Sequence, residues 1–233
     1  MSSYSVIGSR LGRSELPFPP TIASARLDAK KEPLIERFEP GQTISWEGDE
    51  SRYIFQLVSG ATRHCRMLFD GRRVIVGFGH PGDLFGFTSC DRYMFTTEAI
   101  TACRVRRITM TRSAPRTDED ANLRERLRLE YVDMQEDLLQ LLHKSADERV
   151  ASFLLTTGRQ LRQKLANGDK FVLMMPRGDI ADHLGLSVET VCRALSRLRR
   201  DDTIALEGYS IVVVRNFERL RNHAGAPAFE RPE

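Results

Sequence analysis

The chain has 233 residues, 41% hydrophobic and 29% charged, with a formal net charge of +3. That length suits two modest domains, or one domain with a long helix, and the composition is that of a soluble globular protein. No run approaches the roughly 18 apolar residues of a membrane span, and the opening MSSYSVIGSRLGRSELPFPP lacks the layout of a secretory leader. A cytoplasmic protein without a membrane partner is expected. The slight positive charge permits an acidic partner without demanding one, because what counts is where that charge sits.

Residues 1–30 are rich in Ser, Pro and Arg without sustained periodicity, which predicts a flexible N-terminal arm. A β-domain is expected over 31–116. There EPGQTISWEG, YIFQLVSG, ATRHCRMLF, DGRRVIVGFG, HPGDLFGF and TTEAITACRVRRI follow one another at the intervals of a barrel or sandwich. Asp70-Gly71 signals a tight hairpin, because Gly accepts the positive φ such turns need. Gly41, Gly48, Gly60 and Gly82 mark further turns.

A long helix over 117–146 follows. It has no Gly or Pro between Thr117 and Ser145, and it places Leu123, Leu127, Tyr131, Met134, Leu138 and Leu141 along one stripe. The last five alternate four- and three-residue steps, the spacing of a coiled-coil seam. Packing on its own domain is the commoner use of such a stripe. The narrow seam against a charged remainder favours dimerisation through Leu127, Tyr131, Met134, Leu138 and Leu141.

Residues 147–166 predict another amphipathic helix, opening a DNA-binding domain over 147–222. The apolar run FVLMM and Pro176 come next, and 223–233 reads as a flexible tail. RGDIADHLGLSVETVCRALSRL predicts helix, tight turn, helix. Ile180, Ala181 and Leu184 give the first helix an apolar face, Gly185 suits the turn, and Ser187 is a good N-cap. The spacing Ala181, Gly185, Val191 fits a helix-turn-helix, although an ordinary helical hairpin shares it. RRDDTIALEGYSIVVV then supplies two β runs around Glu207-Gly208, as a wing requires.

At about 100° per residue, Val188, Val191, Leu195 and Leu198 fall on the core side of the second helix. Glu189, Cys192, Arg193, Ser196 and Arg200 fall opposite. Arginine donates bidentately to guanine, and a carboxylate accepts from the cytosine amino group. Recognition helices read bases near their N-terminus, which places Glu189 and Arg193 as readers. Arg197, Arg199 and Arg200 suit phosphates, with Ser187, Thr190, Ser196 and Arg177 as further backbone or supporting contacts. Four arginines against one acid between Val188 and Arg200 oppose a merely solvated face.

GQTISWEG, YIFQLVSG, HPGDLFGF, the long helix and RGDIADHLGLSVETVCRALSRL with its wing together resemble the CRP/FNR family of bacterial transcription regulators, over about 31–222. V-E-T-V-C-R is most similar to the FNR branch and its FixK-type members. The resemblance implies an α+β chain. Its parts would be an N-terminal β-barrel (a cyclic-nucleotide-binding-like jelly roll), a long dimerisation helix and a C-terminal winged helix-turn-helix. It implies Glu189 and Arg193 as base readers. Beside them, Val188 stands where cAMP-responsive members carry Arg, and Cys192 where FNR has a base-reading Ser. The implied partners are double-stranded DNA with a palindrome of TTGA-like half-sites, RNA polymerase and a second copy of the chain. The implied role is activation of microaerobic or anaerobic genes, nitrogen fixation among them.

Two departures narrow this. The first cysteine is Cys65, so the cysteine cluster that would hold FNR's iron–sulfur group is missing. MFTTEAIT lacks the phosphate-gripping Arg, and Glu98 would repel a phosphate, so no cyclic nucleotide is expected. Cys65, Cys90, Cys103 and Cys192 lie far apart without a CxxC pair, which suits reduced thiols and no metal site. No cofactor is expected. The alternative is a ligand-gated regulator whose β-barrel binds haem or another small molecule. His64 and Cys65, adjacent in a strand, would then point to opposite faces and not reach one iron together. No enzyme is expected, because paired carboxylates, a nucleophile elbow and a phosphate-cradling glycine loop are missing. Cys192 is either a small base-contacting residue or a redox-sensitive one, since exposure beside Arg193 near a helix N-terminus favours thiol oxidation.

Overall fold

The structure is a computed structural model that describes residues 34–88, 91–109, 144–161 and 165–225. The expected arm, the Leu123 to Leu141 stripe, Cys90 and residues 226–233 lie outside the described residues.

The N-terminal unit is built of eight strands: β1 Ile35–Phe38, β2 Thr43–Ser45, β3 Tyr53–Ser59, β4 Thr62–Met67, β5 Arg73–Gly79, β6 Leu84–Phe85, β7 Thr96–Ala99 and β8 Cys103–Thr109. They form two four-stranded sheets, ordered β1-β8-β3-β6 and β2-β7-β4-β5, and every pairing is antiparallel. Ile44, Phe55, Leu57, Phe85, Tyr93, Ala99, Cys103 and Val105 fill the space between the sheets. Phe55 stacks on Phe85 with ring centroids 5.3 Å apart. The two sheets make the expected jelly roll, facing each other as an open sandwich and not closing into one barrel. Edge strands as short as Thr43–Ser45 and Leu84–Phe85 offer too few ladder groups to zip the sheets into one cylinder.

The expected tight hairpin at Asp70-Gly71 is present: the Leu68 N–H donates to the Arg72 carbonyl and the Gly71 N–H to the Leu68 carbonyl, both at 2.9 Å, closing the turn across Phe69, Asp70 and Gly71. β4 ends at Met67 and β5 starts at Arg73, and Gly71 does adopt φ +82°. The Asp70 side chain accepts from the Arg72 N–H at 3.0 Å, satisfying the backbone locally and leaving Met67 and Phe69 exposed. Glycine is needed more strictly at Gly60. Its φ is +97°, and a Cβ there would lie 2.5 Å from the Ala102 carbonyl oxygen.

His64 and Cys65 are both packing residues. The His64 ring faces the inter-sheet core, 5.3 Å from Phe85, with Nδ1 3.0 Å from the Thr97 hydroxyl. Burial lowers its pKa to about 4. Cys65 is buried, and burial pushes its thiol up. The Cys103 thiol, also pushed up by burial, donates to the Ala61 carbonyl.

The C-terminal unit contains α1 Ala146–Leu161, β9 Lys170–Val172, α2 Arg177–Leu184, α3 Val188–Arg200, β10 Ile204–Glu207, β11 Ile211–Val214 and α4 Phe217–His223. Its sheet is ordered β10-β11-β9. Val150, Leu154, Phe171, Ile180, Val191, Leu198, Val212 and Leu220 belong to one core cluster. The helix expected over 147–166 is described over Ala146–Leu161. Leu165 and Ala166 are already non-helical, because Asp169 accepts from the Ala166 N–H at 2.7 Å and Gly168 turns the chain at φ +87°. Among the described residues, no helix is long and apolar enough to cross a membrane.

The two units meet where β4 and β5 face α2. Asp179 of α2, with a side chain only 5% exposed, receives Arg63 at 2.8 Å and Arg73 at 2.7 Å. Arg63 also pairs with Glu98 at 2.7 Å, and Arg73 with Asp182 at 2.8 Å. Beside this network, His183 Nδ1 donates to the Ile75 carbonyl at 3.1 Å, and burial lowers the pKa of that ring.

Candidate nucleic-acid interface

The helix pair is set by its turn. Gly185 closes α2 in the left-handed region, at φ 63° and ψ 39°, with its N–H on the Ala181 carbonyl. A Cβ at Gly185 would meet nothing within 4 Å, so a larger residue there loses only through its backbone conformation. Gly185→Ala should therefore cost about 1 kcal/mol in urea denaturation. A cost above about 3 kcal/mol would mean the turn has a packing role that this geometry lacks.

Ser187 caps α3 from an extended conformation, and its hydroxyl accepts from the Thr190 N–H at 3.2 Å. Val191, Ala194, Leu195 and Leu198 are buried, while Glu189, Cys192, Arg193, Ser196, Arg197, Arg199 and Arg200 are exposed. The outward face thus agrees with the wheel. Val188 does not: it is 42% exposed, and Ala194 fills the core side instead. Val188 is the first residue of the helix, next to the exposed Glu189.

The outward face is pre-arranged. Arg193 donates to the Thr190 hydroxyl at 3.1 Å, and Thr190 in turn lies 3.0 Å from the Ser187 hydroxyl. That chain holds the guanidinium along the first turns. The N–H of Glu189 itself and the Ser187 hydroxyl hold the Glu189 carboxyl below its usual range, keeping it ionised and able to accept a hydrogen bond. Cys192, Arg193, Ser196, Arg197 and Arg200 line one shallow recess along the helix. Three arginines there carry positive charge, which draws a polyanion.

Not every expected contact residue is free to reach outward. Arg197 forms an ion pair with Asp147 of α1, which ties α3 to α1. Arg177 donates to the Tyr209 carbonyl at 3.0 Å and so joins the start of α2 to the wing. Burial lowers the Arg177 pKa, with Cys192 close enough to act electrostatically in the other direction. The wing pairs β10 with β11, Glu207 opposite Ile211, around Gly208 at φ 65°. Its tip carries Tyr209, 98% exposed. Tyr209 was missed in the sequence, where an aromatic residue just after a turn glycine, in a predicted wing, was the available signal.

Residues 148–223 match the family described as Crp-like helix-turn-helix domain, and residues 35–112 match that described as Cyclic nucleotide-binding domain. The nitrogen fixation regulation protein FixK of Azorhizobium caulinodans is 39% identical over 79% of this chain and 76% of its own. FixK of Rhizobium meliloti is 35% identical over 81% and 86%. The chain belongs to the CRP/FNR family. FixK2 from Bradyrhizobium japonicum superimposes with a TM-score of 0.76 at 35% identity, over 85% of this chain and 100% of that one. The FixK-type resemblance and the order of jelly roll and helix-turn-helix are thereby borne out. Within the CRP/FNR frame, α2 and α3 form the DNA-binding helix pair, and the family is one of transcription regulators. Glu98, in the strand where a phosphate grip would stand, is engaged by Arg63.

Proposed function

We infer that the chain is a homodimeric activator that binds a palindrome of TTGA-type half-sites and recruits RNA polymerase to genes expressed at low oxygen. The observation that carries this is the outward face of α3, where Glu189, Cys192 and Arg193 stand exposed beside Val188 while the opposite face is buried. Glu189 and Arg193 read bases, with Val188 and Cys192 packing against base edges. Ser187, Thr190, Ser196, Arg197, Arg200 and Arg177 hold the helix or meet phosphates. The names of the FixK relatives support the link to nitrogen fixation, and a cytoplasmic setting follows from the target. The β-domain over 31–116 works without a cyclic nucleotide: Glu98 places negative charge where a phosphate would sit. Dimerisation is assigned to the seam within 117–143, which lies outside the described residues. The winged unit reaches further than the expected 147–222, because α1 opens at Ala146, His223 closes α4 and Ala224 is buried in its core, so the expected tail over 223–233 does not begin at 223. Cys192 makes DNA binding sensitive to oxidation.

In vitro transcription from a promoter carrying a TTGA-type palindrome tests this reading, run without added ligand under air, anaerobiosis and oxidant. Transcription should rise several-fold with the protein and fall with oxidant. No response to the palindrome contradicts activation. The dimer has its own test: Leu138→Glu places a charge in the seam through Leu127, Tyr131, Met134 and Leu141 and should yield monomers in sedimentation. A persistent dimer would move the interface elsewhere.

A further inference from the structure

A cavity of about 110 Å³ lies on the seam between the two units, away from both the α3 face and Glu98. The end of β5 and the turn after it give Gly77, Phe78 and His80; one stripe of α1 gives Arg149, Phe153, Thr156, Thr157 and Gln160; the end of α2 gives His183 and Leu184. Its volume sits below the ~150 Å³ that accommodates benzene, so an occupant has about four or five heavy atoms.

The walls select its chemistry. Phe78, Phe153 and His183 form a ring cluster with centroids 5.2 to 5.9 Å apart, which suits a flat molecule. Arg149 brings a positive charge, held in place by the carbonyls of Lys144 and Leu184, and no lining residue is acidic. Thr156, Thr157 and Gln160 add hydroxyl and amide donors. His80 is the decisive feature. It is 4% exposed, and neither ring nitrogen has a hydrogen-bond partner. The Asp83 carboxylate stands 3.7 Å from Nδ1, beyond hydrogen-bond reach. An imidazole in any protonation state carries at least one N–H donor, and buried donors are almost always satisfied.

We propose that this seam cavity binds a small planar oxyanion, a short carboxylate or a nitrate-like ion, with His80, Arg149 and the α1 hydroxyls as its donors. The inference goes beyond the DNA-reading role and does not depend on it. Because β5, α1 and the end of α2 each supply part of the wall, an occupant bridges the β-domain to the helix that precedes the Gly185 turn.

The test uses the full chain without DNA, so its failure leaves the DNA-reading proposal untouched. Sodium acetate and sodium nitrate are titrated at constant ionic strength against sodium chloride, with acetamide as the neutral isostere of acetate, following the thermal midpoint and calorimetric heat. Acetate, nitrate or both should raise the midpoint saturably, with half-saturation on the order of 1 mM; which of them acts separates a carboxylate from an inorganic ion. Acetamide and chloride should not. His80→Phe, and independently the near-isosteric Thr156→Val, should weaken that binding by about tenfold, the loss of one charge-assisted hydrogen bond. Both variants are checked for native circular dichroism, and Thr156→Val preserves the test if His80→Phe does not fold. No saturable response to either anion, as with a cavity holding water alone, overturns the proposal. So does an equal response to acetamide, or unchanged binding in the folded variants.

Discussion

Replacing Asp179 with alanine is expected to destabilise the chain by about 3–5 kcal/mol, the cost of removing one partner from a buried ion pair. The carboxylate accepts from Arg63 at 2.8 Å and Arg73 at 2.7 Å, so its loss takes one partner from each guanidinium and the buried link between the units. Glu98 and Asp182 still hold one arginine each, which limits the damage to the seam and spares the cores on either side. The expected signature in calorimetry is a lower first midpoint and separate transitions for the β-domain and the winged unit. Hydrogen exchange should accelerate first in α2 and β5. Asp179→Asn, which keeps the shape and one acceptor, should lie between. A single transition at the native midpoint would mean that the network contributes nothing to coupling the units.

Peroxide is expected to abolish DNA binding by the native protein but not by Cys192→Ser or Cys192→Ala. Cys192 is exposed in the recess with Arg193, Ser196, Arg197 and Arg200, whereas Cys65 and Cys103 are buried. Among the described cysteines, oxidation is therefore directed to the exposed thiol of Cys192. One peroxide converts the thiol to sulfenic acid with loss of water, adding bulk; a second gives the sulfinic acid, which ionises. A negative charge about 8 Å from a phosphate costs about 2 kcal/mol at an effective dielectric near 20. Over two subunits that is roughly a thousandfold in affinity before salt screening. Equal sensitivity in the two variants would assign the effect to another group.

The sequence carried the parts of this fold whose signals are local. Glycines between short β-branched runs marked the strands, and helical spacing from Val191 to Leu198 placed the outward face of α3. Signals at element ends misled. Val188 has a core-side angle on the wheel but sits on the first turn, where it stays 42% exposed. Asp169 accepting from the Ala166 N–H and Asp70 accepting from the Arg72 N–H are side-chain contacts with the backbone that periodicity does not register. The seam was illegible for a different reason. Asp179 and Asp182 lie within RGDIADHLG with no local signal of pairing, because their partners Arg63 and Arg73 are more than 100 residues away. Nothing local in the sequence singles out His80; its burial, with both ring nitrogens unpartnered, is what distinguishes it.

The central claim is that α3 reads bases through Glu189 and Arg193, and competition binding with Arg193→Ala tests it most directly. Affinities for a TTGA-type palindrome, for palindromes substituted at the guanine of each half-site, and for a scrambled duplex are measured at one fixed salt concentration. The native protein should prefer the intact palindrome. Arg193→Ala should lose about 1–3 kcal/mol on it and stop discriminating at the guanine, while its affinity for scrambled DNA stays near native. If the variant keeps its full preference for guanine at that position, Arg193 does not read it and the assignment of the α3 face is wrong.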